Sequence, residues 1–201
     1  MSERPNRERI LEVALASFGT RGFDATSLDA LAAELGIRKQ TILYYFPSKE
    51  ALLEAVIDAA AAELSMELAV TLAREAVGWD RIDAVVRKAF RLGARRPALL
   101  GLLREASRIA PPASVRLLAG IDPLVKRASR FLEDEMAAGR LRRHDPAAVL
   151  FTAYSAVIGM ATEVEALRAL GNEPTVRELV RRRNGLLALL RAALVPSSDL
   201  A

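Results

Sequence analysis

Residues 26–53 read TSLDALAAELGIRKQTILYYFPSKEALL, and this stretch decides the fold. Leu28, Leu31, Ala32 and Leu35 recur at helical spacing and predict a short helix over Ser27–Leu35. Thr26 is its expected N-cap, with Asp29 three residues on forming a capping box. Gly36 takes the turn and Ile37 fills the angle. A second short helix, Arg38–Phe46, turns Ile42 and Tyr45 back into the core, and the small Ala32 lets it pass close. Pro47 ends it, because proline disfavours helix at the preceding residue. Ser48 then caps a further helix, with Glu50 in its first turn where the macrodipole favours an acid. Two short helices about a glycine turn are the pattern that presents a second helix to the DNA major groove. By spacing alone, a plain structural corner between two helices stays open as well.

The charge of the chain is informative only locally. The net charge is +4 over 201 residues, too small to argue for a polyanion partner. Gly36–Lys49, however, holds Arg38, Lys39 and Lys49 and no acid. A patch counts for more than a total in phosphate contact.

Outward from this stretch the chain reads as all-α. A first helix is expected over Asn6–Phe18, with Ile10, Val13, Ala14 and Phe18 on one face. Gly19 and Gly22 are read as its end and Phe23 as an apolar anchor in the turn. The helix from Ser48 should run to Leu72. Gly78-Trp79-Asp80 reads as a break before a helix at Arg81–Ala94, and another helix runs from Pro97 to before Pro111-Pro112. Ser114–Ala138 is helical with an interruption near Pro123. Asp145-Pro146 opens a helix to Leu170, ended by Gly171-Asn172. Pro174 and Thr175 open the last helix, to Val195, before a frayed tail at Pro196–Asp199. Pro146–Thr162 carries no charge but falls short of the ~20 apolar residues of a membrane span, so it is expected to be a covered bundle helix. The start, MSERPNRERI, has no apolar run and is not expected to be a secretory signal.

Composition argues against most catalytic chemistry. With no cysteine and a single histidine, His144, there is no thiol nucleophile and no Cys/His metal cluster. No GxxxxGK or GxGxxG loop occurs. Glu133-Asp134-Glu135 reads as a solvated helix face, and His144 as an exposed loop residue. The expectation is no enzyme, no metal and no cofactor.

Residues 26–53, with the preceding FGTRGFDATS, closely resemble the DNA-binding segment of TetR-family transcriptional regulators. The marks are the Thr26-Ser27 start, the Ala32-x-x-x-Gly36 turn, the Tyr45-Phe46 pair and the Pro47–Leu53 sequel. The resemblance is specific over about Arg7–Ile57; beyond that it rests on helical content and length. It implies an N-terminal three-helix helix-turn-helix DNA-binding domain at 1–47 and a C-terminal helical ligand-binding and dimerisation domain at 48–201. It also implies a one-component regulator, a repressor as in most of the family, cytoplasmic and at the bacterial nucleoid. Such a protein binds palindromic double-stranded operator DNA as a homodimer and leaves it when a small-molecule effector binds.

Carried over residue by residue, Thr26 and Ser27 hold a phosphate at the start of the second helix, and Thr41, Tyr44 and Lys49 contact the DNA backbone. Arg38, Lys39 and Gln40 reach base edges, where Arg reads guanine and Gln adenine. Arg38 and Gln40 replace residues usually small in the family. Leu43 stands where a tyrosine often contacts DNA, which removes one phosphate hydrogen bond.

The homodimer is expected through helices 146–170 and 174–195. Ala153, Ala156, Gly159 and Ala161 would allow close approach, and Leu186, Leu187, Leu190 and Leu194 would supply bulk. Arg181-Arg182-Arg183 reads as a solvated rim. Phe90, Leu99, Leu103, Phe131, Met136, Phe151 and Tyr154 are the candidate lining of an effector pocket, chosen for size and position. Arg104, Glu105 and Arg108 are its possible polar contacts, and so few polar groups favour an apolar ligand. Trp79 is expected to pack the turn between domains, and the helix at Ser48–Leu72 to act as the lever between them. The competing reading is a helical adaptor that uses the helix-turn-helix only for packing.

Overall fold

A computed structural model describes residues 3–73, 76–108, 113–162, 164–169, 171 and 175–196. Every regular element among them is a helix: α1 (Glu3–Arg21), α2 (Leu28–Leu35), α3 (Lys39–Tyr45), α4 (Lys49–Leu72), α5 (Gly78–Arg95), α6 (Pro97–Arg108), α7 (Ala113–Ala137), α8 (Pro146–Thr162), α9 (Val164–Ala169) and α10 (Val176–Leu194). The expected end signals at Pro111-Pro112, Asn172 and Pro174, and the tail from Ser197, lie outside the described residues. The chain forms two compact units, Met1–Leu64 with Arg96–Ile121, and Ser65–Arg95 with Asp122–Ala201.

In the first unit Ile10, Ala14, Phe18, Leu31, Ile42, Leu52 and Ile57 are buried together with α6 residues Leu99, Leu102 and Leu103. Gly19 does not end α1, as its residue type suggested. It sits inside the helix, where α6 crosses at backbone contact. A Cβ on Gly19 would lie 2.0 Å from the Ala98 carbonyl oxygen, and one on Gly101 would lie 2.0 Å from that of Gly19. Only glycine permits this approach. The end of α1 falls to Gly22 at φ +88°, whose N–H donates to Phe18 O. Glu105 of α6 then accepts the Phe23 N–H at 3.0 Å, so this acid secures the turn.

The second unit buries Val86, Phe90, Leu132, Met136, Leu141 and Val157 with Leu186, Leu187, Leu190 and Leu194. Those four leucines therefore face their own core and not a partner. Trp79, Ala156 and Leu179 pack on the same core.

Three further expectations change. Gly78-Trp79-Asp80 opens α5 and does not break the pattern, because the Gly78 N–H finds a buried acceptor, the Glu135 carboxylate, at 2.9 Å. Glu135 is 4% exposed and is no solvated face. Arg140 pairs with it, and that guanidinium, with help from the Gly78 N–H, holds the carboxyl below the usual carboxylate range. Pro123 lies within a continuous α7; Ala119, whose carbonyl loses its donor there, is exposed, so water can serve that oxygen.

Candidate nucleic-acid interface and effector cavity

The helix-turn-helix is built by short-range rules. Ser27, not Thr26, is the N-cap of α2, its hydroxyl accepting the Ala30 N–H at 3.1 Å. Gly36 adopts φ +66°, and the Gly36 and Ile37 N–H groups return to Ala33 O and Ala32 O. Arg38 stands in extended conformation as the N-cap of α3, with no side-chain cap. Buried Ile42 and Phe46 seat α3 on the unit, Tyr45 is half-buried, and Gln40 and Tyr44 are the exposed side chains of the helix. Ser48 caps α4, its hydroxyl accepting the Ala51 N–H at 3.0 Å.

Of the residues expected to meet DNA, Ser27, Arg38, Gln40 and Tyr44 are exposed, and Lys39, Thr41 and Lys49 are half-buried, as is Leu43. Thr26 is apart from them. It is 1% exposed and its hydroxyl donates to Gly22 O at 2.8 Å, so the side chain braces the turn. Asp29 makes no capping box. It pairs with Lys39 at 2.9 Å across the turn. The Lys49 ammonium lies 4.1 Å from the centre of the Phe23 ring, which fixes it beside the helix-turn-helix. Arg38 is the one cation of the three with neither an ion pair nor a ring partner among the described residues. The patch that is acid-free in sequence thus has an acid in space, supplied by α2.

The residues picked for a pocket are dispersed. Leu99 and Leu103 belong to the first unit's core, Phe90 and Met136 to the second's, and Phe151 and Tyr154 are exposed on α8. Phe131 lines two cavities of the second unit. One, of about 520 Å³, is bounded by Leu72, Arg81, Pro123, Phe131 and charged residues of α7. The other, of about 90 Å³, is walled by apolar side chains of α5, α7, α8 and α10. The Arg81 guanidinium stacks 4.6 Å from the Phe131 ring centre where they meet. Sequence reasoning missed Arg81, Arg127 and Arg130, since nothing in their spacing marks a shared cavity. Among the described residues no cluster of metal-ligating side chains occurs, and no helix is long and apolar enough to cross a membrane.

Residues 10–56 match the family model for bacterial regulatory proteins of the tetR family. The HTH-type transcriptional regulator RutR of Escherichia coli (strain K12) is 47% identical over 51 residues, 25% of this chain and 24% of RutR. The match thus spans about a quarter of this curated relative. Likeness of fold extends over the whole chain. A TetR transcriptional regulator from Chloroflexus aurantiacus J-10-FL superposes with a TM-score of 0.77 at 25% identity, covering 97% of this chain and 98% of that one. AibR, in complex with isovaleryl coenzyme A and operator DNA, superposes with a TM-score of 0.76 at 19% identity, over 91% and 96%. Residues 10–56 thus carry the helix-turn-helix of the tetR family of bacterial regulatory proteins, and the chain as a whole has the fold seen in such regulators.

Proposed function

We propose that the chain is a one-component transcriptional repressor that binds palindromic operator DNA as a homodimer and is released by a small molecule bound in its second unit. The observation that carries this reading is the outward face of α3, where Arg38 and Gln40 stand exposed at the first turn. Arg38 reads a guanine edge and Gln40 an adenine edge, while Ser27, Thr41, Tyr44 and Lys49 hold phosphates. Thr26 contributes through the turn it braces. Lys39 exchanges Asp29 for DNA.

The homodimer forms through α8–α9 and α10, by a face other than the buried leucines. Support comes from large apolar side chains left in solvent there: Phe151 at 71% exposure and Leu189 at 69%, with Tyr154 and Val180 also exposed on the same helices. Gly159 and Gly185 have open space where a Cβ would stand, which suits close approach of another helix. The side chain of Ala161 lies outside the described residues.

Release works by population shift. A ligand that prefers the form unfit for DNA weakens operator binding about 5–150-fold for a coupling of ~1–3 kcal/mol. The chain runs from one unit to the other within α4, between α5 and α6, and within α7, and these are the connections available to carry it.

The test is a gel shift with the DNA flanking the protein's own gene. The expected result is a retarded palindrome-bearing fragment, lost on Arg38→Ala/Gln40→Ala substitution with unchanged circular dichroism. Failure to shift any duplex favours the adaptor.

A further inference from the structure

The two cavities of the second unit share Leu72, Arg81 and Phe131 in their walls, so they lie side by side. The two differ in chemistry. The inner slot is apolar, walled by side chains such as Ile82, Val86, Leu132, Val149 and Leu190. The outer mouth carries four cations, Arg81, Lys126, Arg127 and Arg130, against two acids, Asp122 and Asp134. Asp122 is already paired with Lys126 at 2.8 Å. Arg127 and Arg130 stand three residues apart on α7, on one side of the helix, where like charges repel. Neither has an ion-pair partner among the described residues.

We propose that the two act as one site that takes an amphipathic anion, with an aliphatic tail in the slot and an anionic head between Arg127 and Arg130. An uncharged apolar ligand would fill the slot and leave the mouth's excess of positive charge, four cations against two acids, without an anion. A compact polar anion would meet that charge and leave the slot empty. The molecule that meets both ends has a hydrocarbon chain and a carboxylate, phosphate or phosphate-bearing thioester. Arg81, stacked on Phe131, marks the shared wall where tail gives way to head. The proposal rests on the effector reading above and narrows it from apolar to amphipathic and anionic.

Binding is measured on the full chain without DNA, by calorimetry and by fluorescence of Trp79, the single tryptophan, which packs against this unit's core. The probes are decanoate, decanoyl-coenzyme A, decanol and decyltrimethylammonium. At least one anion binds, ten-fold or more above decanol, and the cation does not. Decanoate alone assigns a free carboxylate head, and the thioester alone a phosphate-bearing one; both binding leaves the shared chemistry as proposed. For the anion that binds, each methylene withdrawn from the slot weakens affinity about fourfold. Arg127→Ser/Arg130→Ser, on exposed positions, removes the anion's advantage over decanol. Ala153→Met, which fills the slot, weakens anion and alcohol alike. The proposal is overturned if no probe binds, if decanol matches the anions, or if the double variant keeps the ratio. A chain that binds these anions but shifts no DNA leaves the ligand assignment standing and refutes the regulator reading; the converse refutes only the ligand assignment.

Discussion

The Lys39 ammonium of α3 lies 2.9 Å from the Asp29 carboxylate of α2, and both side chains are open to solvent. Such an exposed pair contributes only ~0–1 kcal/mol to folding. Under the proposed DNA reading its larger consequence is there, since Asp29 would compete with phosphate for Lys39 and add repulsion of its own. Asp29→Asn is expected to leave the melting curve unchanged and tighten operator binding about 2–5-fold, within that same energy range. In the Asp29→Asn background, Lys39→Ala should flatten the log–log salt dependence by about 0.9, one phosphate contact. Affinity measured against salt for the two variants checks this; no gain from Asp29→Asn contradicts it.

Gly19 and Gly101 hold α1 and α6 at backbone contact. Gly19→Ala forces the helices apart, at an expected cost of ~1–3 kcal/mol from overpacking. Thermal melts followed by circular dichroism should show it.

Glu135 joins the start of α5 to the end of α7 through Gly78 and Arg140. Its pKa is depressed in the folded chain, so its stabilisation is present above the unfolded carboxylate value, about 4.3, and is lost as pH falls through the lower folded value. Glu135→Gln should cost ~1–3 kcal/mol at neutral pH. The gap between wild type and variant should close in acid. Denaturant unfolding read by Trp79 fluorescence across pH measures it, and a gap constant down to pH 3 is the contrary result.

Phe151 and Leu189 offer apolar surface that the single chain does not cover. Phe151→Asp/Leu189→Asp should leave helicity intact and convert a dimer to monomer in sedimentation. Operator affinity should then fall steeply, because two half-sites are no longer held at a set spacing. A wild-type chain that sediments as a monomer on its own sinks the dimer.

The helix-turn-helix is legible in the sequence because its determinants are local. Gly36, Pro47, Ser48 and the Leu28–Leu35 stripe act within one or two turns of themselves. The first error, Thr26 for Ser27 as N-cap, is a one-residue choice between two hydroxyls that only the Thr26–Gly22 hydrogen bond resolves. The larger misreadings involve distant partners. Gly19 looks like a stop until α6, some eighty residues on, is laid across it. Glu135 looks solvated until Gly78, 57 residues earlier, donates to it. The leucines of α10 are apolar whichever way they face, so composition does not assign them to core or partner.

Guanine N7 methylation protection on a bound palindrome, compared between wild type and Arg38→Ala, tests the central claim most directly. Arg38 reaching guanine O6 and N7 in the major groove should protect one guanine in each half-site. The two should lie ~34–36 Å apart or a multiple of it, and both should become reactive in the variant while phosphate contacts elsewhere persist. Guanines that stay protected in the Arg38→Ala complex, or a bound duplex with none protected, would contradict the account.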